Sequence, residues 1–259
     1  MKAPMPALFL GHGNPLNAIR ANDWTRAWQA LGAGLPRPKA IVAISAHWYV
    51  PQTAVTAMPA PRTIHDFGGF PRELYAVRYP APGAPELAQR LQRLLAPLPV
   101  ALDESWGLDH GSWSVLVHMY PEARVPVLQL SIDAREEPRF HYELGTRLRG
   151  LRAEGVLLLG SGNVVHNLES YAWGRHESTP YEWALRFESR VRAQLEAGEH
   201  AALIDYTALG ADARASVPTP EHYLPLLYVM GASDPGESVR YPVTGIDGGS
   251  VSMLGVQFG

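Results

Sequence analysis

The sequence predicts a three-layer α/β fold built around a central, largely parallel or mixed sheet. Two observations lead there. Short apolar runs rich in β-branched residues suit strands buried on both faces, and between them lie longer segments whose apolar residues recur every three or four positions. The strand runs are ALFL (7–10), AIVAIS (40–45), VPVLQLSI (125–132) and GVLLLGS (155–161). Helical spacing marks 23–31, 85–95, 140–153, 182–198 and 221–232, the last holding a proline that starts or kinks it. The closing segment, 238–259, reads as two strands folded into a hairpin around Asp247-Gly248-Gly249. Residues 50–62 and 79–85, rich in proline, read as loops over the sheet edge.

The chain has 259 residues, 46% hydrophobic and 18% charged, which suits a single domain with one large core. Its formal net charge of -3, with no long basic run, argues against nucleic acid or an anionic membrane surface as partner. A small molecule is the expected ligand. The first apolar run is broken by Pro4, Pro6 and Gly11, too short for a signal-peptide core, and no run is long enough to span a bilayer. A soluble, cytoplasmic protein is expected. There is no cysteine, so disulfides, thiolate metal sites and cysteine nucleophiles are excluded, and any metal must use His, Asp or Glu.

Ten histidines therefore carry most of the chemical interest. In open α/β sheets ligands bind beyond the carboxyl ends of the strands. His12 follows the first strand run, His47 the second, and His166 the fourth by way of the turn GSGNVV. The glycines flanking His12 allow a sharp turn and close approach of a ligand. One such histidine is equally well a hydrogen-bonded cap on its strand; three at strand ends favour a metal site. His110, in WGLDHGSW, has the character of a proton carrier oriented by a carboxylate or carbonyl, or else of a loop histidine packed on tryptophan. His222 lies in TPEHYLPLLY, where Thr219 is placed to cap a helix beginning near Pro220. Glu221 and His222 are adjacent, so at most one is expected to face the site.

The other histidines rank lower. His118 reads as a core residue or one supporting the site from behind, and His141, His176 and His200 as surface residues. His65, in an aromatic, Gly-rich segment, reads as part of a loop over the pocket. The Gly-x-Gly of GSGN lacks the third glycine and spaced acid of a dinucleotide fingerprint, and no Walker A, HExxH or GxSxG pattern occurs. Ser161 at a strand end is accordingly a weak nucleophile candidate.

Taken in order, GHGNPLNAI, SAHW, TIHDFGGFPRELY, WGLDHGSWSVLVHMYP, QLSID, GSGNVVHNL, TPEHYLPLLY and SVSMLGVQFG closely resemble the bacterial 4,5-DOPA extradiol dioxygenase family. That family belongs to the LigB-type, class III ring-cleaving dioxygenases, and the resemblance runs from residue 8 to the end. It implies a mononuclear non-haem Fe(II) enzyme that uses O2 to open a catechol beside its two hydroxyls. Zinc, which has no redox chemistry of its own, also occupies the site in some members as isolated. By this resemblance His12 and His47 match metal ligands, and His166 and His222 match two further histidines of the metal shell.

Most extradiol enzymes hold iron with two histidines and a carboxylate. In LigB-type relatives a carboxylate takes the position of His222 and the residue matching His166 serves as base. This chain has histidine at both positions, which implies four histidines around the metal at rest, with His166 free to swing away as base. His110 or His166 would take the catechol proton, and His65, Phe67, Trp106, Trp113 and Tyr223 would surround the ring. Two other readings of the same residues are a zinc hydrolase and a non-catalytic metal-binding protein on the same fold.

Overall fold

A computed structural model of the chain describes residues 3–175 and 178–259. The strands are β1 (Ala7–Gly11), β2 (Ala40–Val50), β3 (Ala54–Thr56), β4 (Ala101–Asp103), β5 (Val127–Asp133), β6 (Val156–Gly162), β7 (Val239–Val243), β8 (Ile246–Asp247), β9 (Val251–Ser252) and β10 (Gly255–Phe258). Eight of them form one sheet in the order β4-β3-β5-β2-β6-β1-β10-β7. Its centre, β5-β2-β6-β1, is wholly parallel, while β10 and β7 add antiparallel strands at one side and β3 pairs antiparallel with β5 at the other. The sheet is thus mixed: the central parallel strands have both faces covered, and β3 and β4 form a further parallel pair at the edge.

The helices are α1 (Asp23–Gly34), α2 (Arg72–Ala76), α3 (Pro85–Leu94), α4 (His110–Met119), α5 (Pro138–Leu148), α6 (Gly150–Ala153), α7 (Glu182–Ala197), α8 (His200–Ile204), α9 (Ala211–Ser216) and α10 (Leu224–Gly231). Along each central strand alternate side chains enter opposite cores. Leu8, Leu10, Ile41, Ala43, Leu157 and Leu159 join the core beneath α1 and α4. Phe9, Val42, Ile44 and Leu158 join the core shared by α5, α7 and α10. This two-sided burial is why these strands read as continuous apolar runs.

Several expectations are corrected. Residues 50–62 contain β3, a strand too short to announce itself beside Pro59 and Pro61. Helix α4 was not legible because HGSWSVLVHM is packed on nearly every side, between α1 and the sheet, and so shows no amphipathic period. The final segment is not one hairpin: β7 and β10 join the main sheet, and only the two-residue strands β8 and β9 pair around the turn at Gly248-Gly249. The helix expected from 221 begins at Leu224, with Pro225 in its first turn, so His222 lies in the preceding turn. Thr219 does not cap it; its hydroxyl donates to Glu221 Oε1 at 2.8 Å. His141 is fully buried, its Nδ1 2.9 Å from the Tyr228 hydroxyl, because α5 turns that side chain toward α10. His176 lies outside the described residues.

Candidate active site and metal centre

The parallel strands end on one edge, and that edge carries the histidines. His12 is the residue after β1, its N–H donating to the Gly162 carbonyl at the end of β6. Gly11 is crossed closely by the backbone of Ser252 and Met253, and Gly13 adopts a left-handed φ of +59°. Those two demands explain the glycines on either side of His12. His47 is still within β2, at an irregularity: pairing with β5 runs regularly to Ile44, then resumes at Tyr49. Such bulges re-aim side chains beside active sites. His222 is held in its turn by the Asn163 N–H, which donates to its carbonyl at 2.9 Å. A β-carbon on Gly162 would collide with that carbonyl, so the glycine permits the approach.

Hydrogen bonds set how each imidazole is presented. The Ser161 hydroxyl donates to the Gly111 carbonyl, so its oxygen accepts from His12 Nδ1–H at 3.0 Å. One oxygen of Asp66 lies 3.1 Å from His47 Nδ1 and 3.0 Å from His110 Nδ1, and Glu221 Oε1 lies 3.1 Å from His222 Nδ1. Ionised carboxylates only accept, so these Nδ1 atoms carry protons, and in the neutral ring each Nε2 keeps its lone pair. His12 Nε2 and His47 Nε2 stand 3.1 Å apart, lone pair toward lone pair. Unless a metal ion lies between them, or a proton sits on His47 Nε2 as the raised pKa of His47 favours, that spacing is unfavourable. It is also near the separation of two nitrogens that each bind one ion at roughly 2.0–2.1 Å. One ligand nitrogen each from His12, His47 and His222 lie within 4.8 Å of one another. The donor set therefore fits a divalent transition metal that accepts imidazole.

His166 departs from the four-histidine expectation. Its ring stacks flat on His222, with centroids 3.5 Å apart and planes within 6°. Two parallel imidazoles cannot both aim in-plane lone pairs at one ion. His166 shares a cluster with Glu221 and His222 instead; of the two neighbours His222 lines the cavity, as expected for at most one of them, while Glu221 holds its Nδ1 from behind. His110 opens α4, where Asp109 caps the helix by accepting from the Ser112 N–H at 3.2 Å. The carboxylate that orients the His110 ring is Asp66, not its neighbour Asp109.

The electrostatics follow from burial and crowding. Burial, then the neighbouring imidazoles, hold His12 and His222 well below the ordinary histidine range. Burial likewise lowers His166, to about 4. His110 is lowered by burial and by His47 in spite of Asp66. At His47 burial opposes the charge, but the Asp66 hydrogen bond, with Asp109 and Glu221 behind it, prevails and raises the pKa. Asp66 itself is held far below the carboxylate range, because bonds from His110 and His47 outweigh its burial.

Beside the cluster lies a cavity of about 200 Å³. His12, His47, His110, His166 and His222 form its floor, and Phe70, Leu168, Tyr171 and Trp173 line it as well. The aromatic residues expected there are placed differently. Phe67 meets His110 edge-on at 5.4 Å. Trp113 is fully buried and donates to the Ile64 carbonyl, and Tyr223 is fully buried with its hydroxyl on the Leu203 carbonyl. Trp106 stacks on Trp48, and His65 bonds the Val77 carbonyl. Of these five, Phe67 has a ring contact with the histidine cluster. Residues that sequence reasoning missed are Asp66 and Phe70, which sat unremarked in TIHDFGGFPRELY, Leu168 at the end of GSGNVVHNL, and the cavity residues Tyr171 and Trp173, whose segment carries no recognisable motif.

A mixed α/β sheet with imidazoles gathered at the carboxyl edge of its parallel strands, beside an aromatic-lined cavity, defines a metal-dependent enzyme acting on a small molecule. Over residues 13–248 the chain matches the family described as the catalytic LigB subunit of aromatic ring-opening dioxygenase. It is 56% identical, over 98% of its length and 95% of the relative's, to the 4,5-DOPA dioxygenase extradiol of Escherichia coli (strain K12). The protein of the same name from Beta vulgaris is 37% identical, over 96% and 95% of the two chains. The crystal structure of an uncharacterized protein from Escherichia coli K12 superposes with a TM-score of 0.86 at 51% identity, covering 98% of this chain and all of that one. The chain belongs to the LigB family and is an extradiol ring-cleaving dioxygenase.

Proposed function

We propose that the protein opens a catechol such as L-DOPA with O2, using Fe(II), and releases a semialdehyde. The observation that carries this reading is the trio His12, His47 and His222, with Nε2 atoms free to hold a metal, set at a cavity that His110 and His166 also line. Fe(II) bound there would let catechol oxygens and O2 meet at one ion and exchange electrons through it.

The remaining work falls to the chain. His110 and His166 are held neutral by burial, so each is poised to accept a proton from a catechol hydroxyl, His110 at its Nε2. Asp66 stabilises the charge that His110 then acquires. His166 has Glu221 nearby for the same purpose. Phe70, Leu168, Tyr171 and Trp173 exclude water and hold the ring and its substituent. The relatives from Escherichia coli and Beta vulgaris are named 4,5-DOPA dioxygenase extradiol, which supports DOPA as the substrate and cleavage at its 4,5 position. The family match, running across 13–248, fits one catalytic domain.

The test is oxygen uptake by protein stripped of metal and reloaded anaerobically with Fe(II), given L-DOPA and then simpler catechols. Uptake with a yellow product, absent from a zinc-loaded sample and from His12→Ala, is the expected result. No uptake with any catechol, together with hydrolytic activity of the zinc-loaded form under nitrogen, would overturn it.

A further inference from the structure

The segment TIHDFGG holds a residue whose position outstrips its place in the sequence. Asp66 lies on the loop between β3 and α2, yet its carboxylate reaches two histidines from different elements, His47 of β2 and His110 of α4. We propose that Asp66 is a positioning residue that orients the metal ligand and the acid–base histidine together, by accepting an Nδ1–H from each on a single oxygen.

Three features support this. The two rings are neighbours, with centroids 3.9 Å apart and planes at 51°, so their Nδ1 atoms converge on the same Oδ2. The other oxygen accepts the backbone N–H of His110 at 2.9 Å, so the carboxylate grips the start of α4 by main chain as well as side chain. The loop is also clamped close to Asp66. The Ile64 N–H donates to the Leu108 carbonyl and the Trp113 indole donates to the Ile64 carbonyl, each at 2.7 Å. This gives buried Trp113 a role in holding the loop and not the substrate.

With both Nδ1 protons committed to one acceptor, both Nε2 atoms are left toward the cavity: one to hold the metal, the other to receive a proton. A carboxylate supplies acceptors on both of its oxygens, which an amide cannot do. In Asp66→Asn, turning the amide oxygen to the rings sets its NH2 against the His110 N–H, donor against donor; the opposite flip sets NH2 against two ring N–H groups. Either way at least one contact is lost. Partners that orient metal-binding histidines cost roughly 10- to 100-fold in metal affinity when removed.

The inference rests on the reading of His47 as ligand and His110 as acid–base group, but its test does not depend on ring cleavage. Nitrogen-15 NMR of the Zn(II)-loaded protein reads the protonation of each imidazole nitrogen, and competition with a chromophoric chelator reads Zn(II) affinity. The expected result is Nδ1–H on both His47 and His110, Zn(II) binding weakened roughly 10- to 100-fold in Asp66→Asn, and loss of the Nδ1–H signature at one ring or both. A proton on Nε2 of either ring in the wild type, or unchanged affinity and tautomers in Asp66→Asn, would overturn it. The wild-type His110 tautomer, which no bond to zinc fixes, decides the matter even where the variant fails to fold. Intact tautomers without oxygen uptake would count against the functional reading and leave the role of Asp66 standing.

Discussion

The Ser161 hydroxyl joins two elements of the site: it donates to the carbonyl of Gly111 in α4 and accepts from His12 Nδ1 at 3.0 Å, at the end of β6. A residue that sequence reasoning weighed as a nucleophile is thus the group that holds the His12 tautomer. Ser161→Ala removes the acceptor and leaves His12 free to protonate either nitrogen. Metal affinity should fall roughly tenfold or more, measured by chelator competition, while the fold is kept.

His110 lies outside the trio His12, His47 and His222, its Nδ1 taken up by Asp66, which suits it to move a proton. His110→Gln should lower kcat by roughly 10²- to 10⁴-fold, the usual worth of a general acid–base group, with metal stoichiometry unchanged. Metal analysis beside steady-state kinetics checks this, and loss of metal in step with activity would contradict it.

The approach of the His222 turn to β6 leaves no room for a side chain at Gly162. Gly162→Ala should destabilise by about 1–3 kcal/mol, the common cost of overpacking, and should weaken metal binding because His222 must move. Denaturant unfolding with and without metal separates the two effects.

Trp173 is 62% exposed yet lines the cavity, which is the placement of a side chain that contacts the outer part of a substrate. In Trp173→Ala, KM for a substituted catechol should rise roughly tenfold with little change in kcat, since contacts equal in ground and transition state affect binding alone. Unsubstituted catechol should feel the change less.

Away from the site, burial holds His141 near 4 against an ordinary value of 6.5. Between those values the unfolded chain binds a proton that the folded one refuses, so stability falls as pH drops through this window. The group accounts for about 3 kcal/mol lost by the lower end. Unfolding curves at neutral and acid pH should show a smaller acid loss in His141→Gln than in the wild type.

Much of the site was legible because parallel strands deliver the residues just beyond them to a common edge. ALFLGH, AIVAISAH and GVLLLGSGNVVH state strand, turn and histidine in plain order, and the structure puts all three imidazoles on the cavity. The aromatic residues were misjudged for the opposite reason. Tyr223 comes directly after His222, but one step along the turn sends its ring into the core between Phe187 and Tyr206. Trp113, three residues beyond His110, is likewise carried by α4 into the interior.

The sequence by itself determined the three-layer α/β class, the strand-end histidines and the absence of thiol chemistry, because hydrophobic periodicity and composition are properties of the chain in order. Only the tertiary structure decided that His166 stacks on His222, that Ser161 serves His12, and that Asp66 joins His47 to His110. Each of these is a contact between segments far apart in the chain, and its direction is set by how loops and helices pack, which no local pattern records.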